Sequence, residues 1–327
     1  MQDLVHQSHS CGAKSGLPES SQTTLLRRMP DARKSTMSAP LSTTPDPAND
    51  RQQRLVEIAA RYSLAEEDVR RLATNFQQLE TEIDAACVTA GRSRGDVTLV
   101  GVTKYVPAPV IAALVDLGVR DVGESRPQNL AKRRQEVNEL LGGRMTAGDA
   151  GSNLRWHLIG HLQRNKAELA ISTASVIHSC DSERLLDRLA QLSGSRENPP
   201  PVLLEVNISG EASKHGFTSE EVRSWWLANR AQETSRADLS KIPLVGLMTM
   251  APFDAPEETL HQVFGGLRDL RDELQELAPT QPLPLLSMGM SGDFPTAIEC
   301  GATHIRVGTR LFEGLSPGCF LKPEANA

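Results

Sequence analysis

Residues 99–110 read LVGVTKYVPAPV. The run from Leu99 to Val102 has the apolar, β-branched character of a buried strand, and Lys104 stands at its end, just before Pro107 and Pro109. Proline has no N–H to give to a ladder, so the strand stops there. The next stretch, PAPVIAALVDLG, has a helical apolar spacing. A dry strand, a primary amine at its end and then a helix form a unit whose repetition decides the fold.

The same alternation recurs down the chain. Short apolar runs occur at VTLVGV (97–102), VRDVG (119–123), RWHLIG (155–160), SVIHS (175–179), VLLEVN (202–207), PLVGLM (243–248), PLLSMG (284–289) and HIRVG (304–308). Amphipathic pieces such as SERLLDRLAQLSG and TLHQVFGGLRDLRDELQEL separate them. Strands alternating with helices describe a parallel α/β fold, and eight of them suit a closed (β/α)8 TIM barrel. An open doubly wound sheet is the alternative. Residues 1–50, rich in Ser, Thr and Pro, read as a disordered extension in which Met37 offers a later start. RQQRLVEIAARYS and the apolar pattern continuing to Gly91 read as one long helix or a broken pair. Residues 51–318 are then the barrel domain and 319–327 a short tail.

Composition narrows the function. With 35 basic against 41 acidic residues, net −6, the chain has no nucleic-acid footprint. No apolar run reaches the roughly 18–20 residues that span a bilayer, and the N-terminus lacks a secretory pattern. Five cysteines without a CxxC pair read as reduced thiols of a cytoplasmic protein. His157 and His161 straddle a strand end and share no helix face, so a metal site is not expected.

Barrel chemistry sits at the C-terminal ends of the strands. Lys104, Glu124, Ser125, His157, His161, Asn207, Thr249, Ser287 and Arg306 to Thr309 fall there. Side chains alternate along a strand, so if Val100 and Val102 face the barrel interior, Lys104 faces its mouth. Loss of water there favours the neutral amine, which forms Schiff bases with aldehydes. The plainer alternative is a lysine paired with Glu124. Tyr105 is expected on the opposite strand face. SMGMSGDFPTAIECG (287–301) and RVGTRLFEG (306–314) each run from a strand through a small-residue loop into a helix, with Ser291 or Asp293 as a cap in the first and Thr309 opening the second. Their free N–H groups and hydroxyls suit a phosphate, and the loops after strands seven and eight are where barrels bind one. An amine facing a phosphate cradle suits a ligand with an aldehyde and a phosphate, and pyridoxal 5′-phosphate (PLP) is such a ligand.

VTKYVP, WHLIGHLQRNK, VNISGEASKHGF, GLMTM, LSMGMSGDFPTAI and IRVGTRLF, in this order, resemble the pyridoxal phosphate homeostasis proteins. These are single-domain relatives of the N-terminal barrel of alanine racemase, and the resemblance covers about residues 55–315. It implies that Lys104 carries PLP as a Schiff base, that Ser291, Gly308 and Thr309 hold its phosphate, and that Arg306 faces the pyridine nitrogen. Ser125, His157 and Ser287 count as further cofactor contacts. Where the family has a Gly-Glu-Asn motif this chain has GESRPQN, with Ser125 in the asparagine's place. Arg306 has no proton to surrender, which leaves the pyridine a weak electron sink. Its alternative is a rim salt bridge with Glu299 or Glu313.

Three functions remain: a PLP carrier serving PLP-dependent apoenzymes, an amino-acid racemase, and a Schiff-base phosphosugar aldolase. Racemases of this fold take a second base, a tyrosine, from an added β domain. This chain stops about a dozen residues after the last barrel motif. A carrier, monomeric or weakly dimeric, is the expectation.

Overall fold

The structure is a computed structural model that describes residues 47–142, 154–211, 214–230 and 242–322. The chain divides between Thr44 and Pro45. Nearly all of the expected N-terminal extension, including Met37 and Cys11, lies outside the described residues.

All eight apolar runs form strands: β1 (Thr98–Val102), β2 (Asp121–Glu124), β3 (Arg155–Leu158), β4 (Val176–Cys180), β5 (Val202–Glu205), β6 (Leu244–Met248), β7 (Leu285–Ser287) and β8 (His304–Val307). They are parallel and close into a barrel in sequence order, β8 returning to pair with β1. Closure excludes the open sheet. The register places Val100 beside both Asp121 of β2 and Arg306 of β8.

The helical pattern after Arg51 is a broken pair, α1 (Pro47–Tyr62) and α2 (Glu66–Thr89). The break falls at Ser63, whose φ of 54° lies in the left-handed region and stops the helix. The apolar stripe of α2, including Val69, Leu72, Leu79 and Ile83, is buried. Its polar residues reach the last strand–helix units. Asn75 Nδ2 donates to the carbonyls of Leu311 and Glu313, at 3.1 and 2.9 Å. Just beyond α2, Arg92 Nη1 donates to the carbonyls of Ile298 and Ala302.

The barrel helices are α3 (Ala108–Leu117), α4 (Pro127–Leu141), α5 (Ala167–Thr173), α6 (Glu183–Ser193), α7 (Ser219–Arg230), α8 (Glu257–Leu277), α9 (Phe294–Glu299) and α10 (Thr309–Phe312). Trp225 and Trp226 on α7 are buried, as core residues. None of the described helices is long and apolar enough to cross a membrane. Cys87, Cys180, Cys300 and Cys319 are buried free thiols. The segment from Cys319, expected as a tail, returns to the barrel: Leu321 N–H donates to the carbonyl of Tyr105 at 2.8 Å.

One large apolar cluster fills the space between strands and helices, while a small one of Val176, Leu203 and Met248 lies apart from it. Asp121, His157, His178, Ser287, His304 and Arg306 are buried as well. An interior normally filled by branched apolar residues is here partly polar.

Gly246 of β6 marks a tight approach, since a Cβ there would run into the carbonyl oxygen of Leu285 on β7. Gly246→Ala must push two paired strands apart, and overpacking of this kind costs about 1–3 kcal/mol or more. A clear drop in thermal midpoint is expected. An unchanged melt would contradict this register.

Candidate functional site

β1 ends at Val102, and the chain then turns, with Val106 N–H donating to Thr103 O at 3.1 Å. Arg133 of α4 holds this turn. Its Nη1 donates to Thr103 O at 2.7 Å and its Nη2 to Lys104 O at 3.3 Å, while it forms a buried ion pair with Glu124. Glu124 is fully buried, and burial raises its carboxyl above the ordinary range, opposed by the Arg133 cation. The carboxylate considered as a partner for Lys104 is therefore engaged elsewhere. Among the described residues the Lys104 ammonium makes no ion pair. It is half-buried and lies 4.9 Å from the centroid of the Tyr105 ring. Tyr105 does not face away as strand alternation required, because the strand has already ended: it lines the same cavity as Lys104.

That cavity has a volume of about 900 Å³. Across it from Lys104 stand Ser291, Gly308 and Thr309, with Arg306 among its walls. The loop after β7 starts at Gly289, with φ of 93°, where a Cβ would come within 2.6 Å of Ala297 Cβ. Asp293 is the N-cap residue of α9, yet its carboxylate accepts from Met290 N–H and makes no bond to the helix. Ser291 Oγ accepts from Gly308 N–H at 3.3 Å, so the two loops touch. The N–H groups of Ser291, Gly292, Thr309 and Arg310 have no acceptor among the described residues. Ser291, Gly292 and Thr309 line the cavity, which places free donors at its wall.

Arg306 does not form the rim salt bridge with Glu299 or Glu313. It is buried, donating from Nη1 to Ser287 Oγ at 2.7 Å and from Nη2 to Thr249 O at 3.0 Å. Burial pushes its guanidinium down to about 10. Ser287 Oγ also contacts His178 Nδ1 at 2.8 Å, His178 Nε2 contacts His157 Nδ1 at 2.8 Å, and His157 Nε2 contacts Asp121 Oδ1 at 2.8 Å. Arg155 grips both oxygens of Asp121, its Nε 2.6 Å from the same Oδ1 and its Nη2 donating to Oδ2 at 2.7 Å.

Of the expected cofactor contacts, Lys104, Ser291, Arg306, Gly308 and Thr309 thus meet around one cavity. Ser125 lies on an adjoining groove that shares Lys104 and Tyr105, with the backbone of Gly160 packed against it. His157 and Ser287 do not line the cavity; they lie beneath Arg306 in the barrel interior. Asp121, Arg133 and His178 were not singled out in the sequence. A histidine inside an apolar strand, as in VIHS, was the available signal.

On the rim, His161 Nδ1 bonds Asp181 at 2.7 Å and its ring stacks on His215. The three offer ligand atoms within 4.8 Å of one another, a grouping that the spacing of His157 and His161 did not disclose. Lys214 is tied down by Glu211, by Ser209 Oγ at 3.2 Å and by Met250 O at 3.1 Å. Asn165 and Lys166 form a short turn leading into α5.

Glu205, at the end of β5, is buried, and burial together with the Asp181 carboxylate pushes it up to about 7 from an ordinary 4.5. Between those pH values the native state holds a proton that the unfolded chain has released, so this group's contribution to stability falls as pH rises. Relative to the native protein, Glu205→Gln should gain stability from pH 5 to pH 8. Urea midpoints at the two pH values test this, and an equal displacement at both would refute it.

Comparisons with known proteins agree with this architecture. The model of the alanine racemase N-terminal domain matches residues 68–317. The pyridoxal phosphate homeostasis protein of Aquifex aeolicus is 36% identical over 230 residues, covering 70% of this chain and 92% of that protein. Its counterpart in Escherichia coli K12 is 34% identical over 242 residues, covering 74% and 95%. The structure of PipY from Synechococcus elongatus with PLP bound superposes with a TM-score of 0.60 at 32% identity, covering 74% of this chain and 99% of that one. With more than half its length matching that domain and these relatives covered almost end to end, the chain belongs to the pyridoxal phosphate homeostasis protein family, built on the alanine racemase N-terminal barrel.

Proposed function

We propose that this protein binds pyridoxal 5′-phosphate in the cavity between Lys104 and the loops after β7 and β8, and that it serves intracellular PLP homeostasis as a carrier. One observation carries the reading. A lysine amine without an ion-pair partner among the described residues shares a cavity with a cluster of unspent N–H donors and a buried guanidinium. The residues suit the cofactor's three functional ends. Lys104 offers a nucleophile to an aldehyde, Ser291 and Thr309 offer donors to a phosphate beside Gly308, whose N–H rests on Ser291 Oγ, and Arg306 offers a cation to a ring nitrogen. The names of the Aquifex and E. coli relatives and the PLP in PipY support it.

When bound, PLP supplies an aldehyde that joins amines reversibly. The protein's own part is to bind and orient. Arg133 holds the Thr103–Lys104 backbone from behind, which fixes the origin of the lysine side chain. Arg306 only donates hydrogen bonds, so a nitrogen facing it is held as an acceptor and stays unprotonated. That condition weakens carbanion stabilisation and favours carriage over turnover. Transfer to PLP-dependent apoenzymes in the cytoplasm completes this reading.

Protein soaked in PLP should show an absorbance band that borohydride removes, with the added mass on Lys104. Lys104→Ala should lose the band and keep its thermal midpoint. Thr309→Ala should keep the band but release PLP about tenfold faster, as expected for one lost hydrogen bond to a charged group. Protein that stays colourless after soaking would overturn the proposal.

A further inference from the structure

Beneath the cavity, five side chains form an unbroken line through the barrel interior: Arg306, Ser287, His178, His157 and Asp121. Its four contacts measure 2.7, 2.8, 2.8 and 2.8 Å, and every member is buried. The line starts on β8, passes through β7, β4 and β3, and ends on β2. None of the inner four lines the cavity, so binding does not explain them.

The chemistry of the two ends sets the direction of every bond between them. A guanidinium donates only, so Ser287 Oγ accepts from Arg306. The one proton of the Ser287 hydroxyl is then available for its other contact, His178 Nδ1. A ring nitrogen that accepts carries no proton, so neutral His178 is protonated at Nε2 and donates to His157 Nδ1. By the same rule His157 is protonated at Nε2 and donates to Asp121 Oδ1. An ionised carboxylate accepts only, and the line closes there, Oδ1 accepting from His157 and from Arg155 alike. The opposite direction would need an accepting guanidinium at one end or a protonated Asp121 at the other. A protonated His157 would reverse the two middle bonds and leave the Ser287 hydroxyl proton with no acceptor among the described residues.

The surroundings favour a neutral ring at His178. Burial drives His178 well below its ordinary value and pushes neighbouring His304 down to about 3. Asp121 is held below the usual carboxylate range by its bonds to His157 and Arg155, which outweigh its burial. Arg155, half-exposed at the start of β3, lines a smaller cavity of about 320 Å³ together with Asp121.

We propose that Asp121, His157, His178 and Ser287 are positioning residues for Arg306: a one-directional hydrogen-bond line that locks both imidazoles as Nε2–H tautomers and orients the guanidinium at the cavity wall from the far side of the barrel. The consequence for a bound cofactor rests on the proposed PLP binding. The tautomers belong to the protein alone.

The test uses the ligand-free full chain labelled with 15N-histidine, its ring signals assigned with His157→Gln and His178→Gln. Both rings should show a protonated Nε2 and a bare Nδ1. Asp121→Asn, whose amide oxygen still accepts from His157 Nε2 and Arg155 Nε, should keep both tautomers but weaken the line, shifting the Nε2–H proton signals of both rings upfield. His178 does not touch residue 121, so a merely local structural role would leave its signal unchanged. Either ring found doubly protonated or Nδ1-protonated in the native protein would overturn the proposal, whether or not Asp121→Asn folds. So would a folded Asp121→Asn protein whose His178 ring signals stay at their native positions. In a second arm, PLP-loaded Asp121→Asn should hold the native amount of cofactor with a displaced absorbance maximum, and a maximum identical to the native one would overturn the link to Arg306. If the native protein takes up no PLP, the carrier reading falls, while the tautomer arm still decides the line.

Discussion

The site depends on the pairing of the first strand with the last. β1 and β8 are some 200 residues apart in the chain, yet Val100 lies beside Arg306 and Gly101 beside Val307. That register sets the end of β1, which delivers Lys104, next to the end of β8, which delivers Gly308 and Thr309. The approach is close enough that a Cβ on residue 308 would stand 3.1 Å from Val102 Cβ. A side chain there would press on β1, so the small residue at 308 eases closure of the barrel. The helix outside the barrel guards the same junction: α2 and the residue just past it, through Asn75 and Arg92, hold the segments that flank β8.

Two buried arginines are accommodated in opposite ways. Arg133 meets Glu124 directly, and its remaining donors go to backbone carbonyls of the turn that carries Lys104. Loss of one partner from such a pair strands the other charge, which typically costs about 3–5 kcal/mol. Arg306 has no carboxylate in contact among the described residues. Its charge is met by a hydroxyl and a carbonyl, and its nearest hydrogen-bonded anion, Asp121, is reached only through Ser287 and two imidazoles. Direct pairing would have filled the space beside the guanidinium. The indirect arrangement keeps Arg306 both cationic and open to the cavity.

Much of this was legible in the sequence because it is local. The eight apolar runs were visible, as were the prolines that open α3 and the small-residue loops after β7 and β8, and these place Lys104, Ser291 and Thr309. The features that were not legible depend on closure. The Glu124–Arg133 pair joins β2 to a helix nine residues on, where nothing distinguishes Arg133 from its neighbour Arg134. Arg306 read equally well as a rim residue, since burial of a strand-end arginine depends on the elements that cross above it. Tyr105 was misplaced because alternation was extended three residues beyond the end of the strand. His178 and Asp121 acquire meaning only when β2, β3, β4 and β7 turn their inner faces toward each other.

The two sides of the cavity are held differently, and that difference bears on carriage. The donor loops are backed by the barrel's last two strands and braced from α2, so the groups proposed to hold a phosphate are part of the scaffold. Lys104 instead sits on a turn, and its side chain reaches across open space beside an exposed Tyr105. The C-terminal segment crosses next to it through the bond from Leu321 to Tyr105. A ligand gripped by a rigid anion cradle but joined to the protein by one reversible bond at an accessible amine can be retained without being buried. In the proposed binding mode, release then requires breaking that single bond and leaving the cradle.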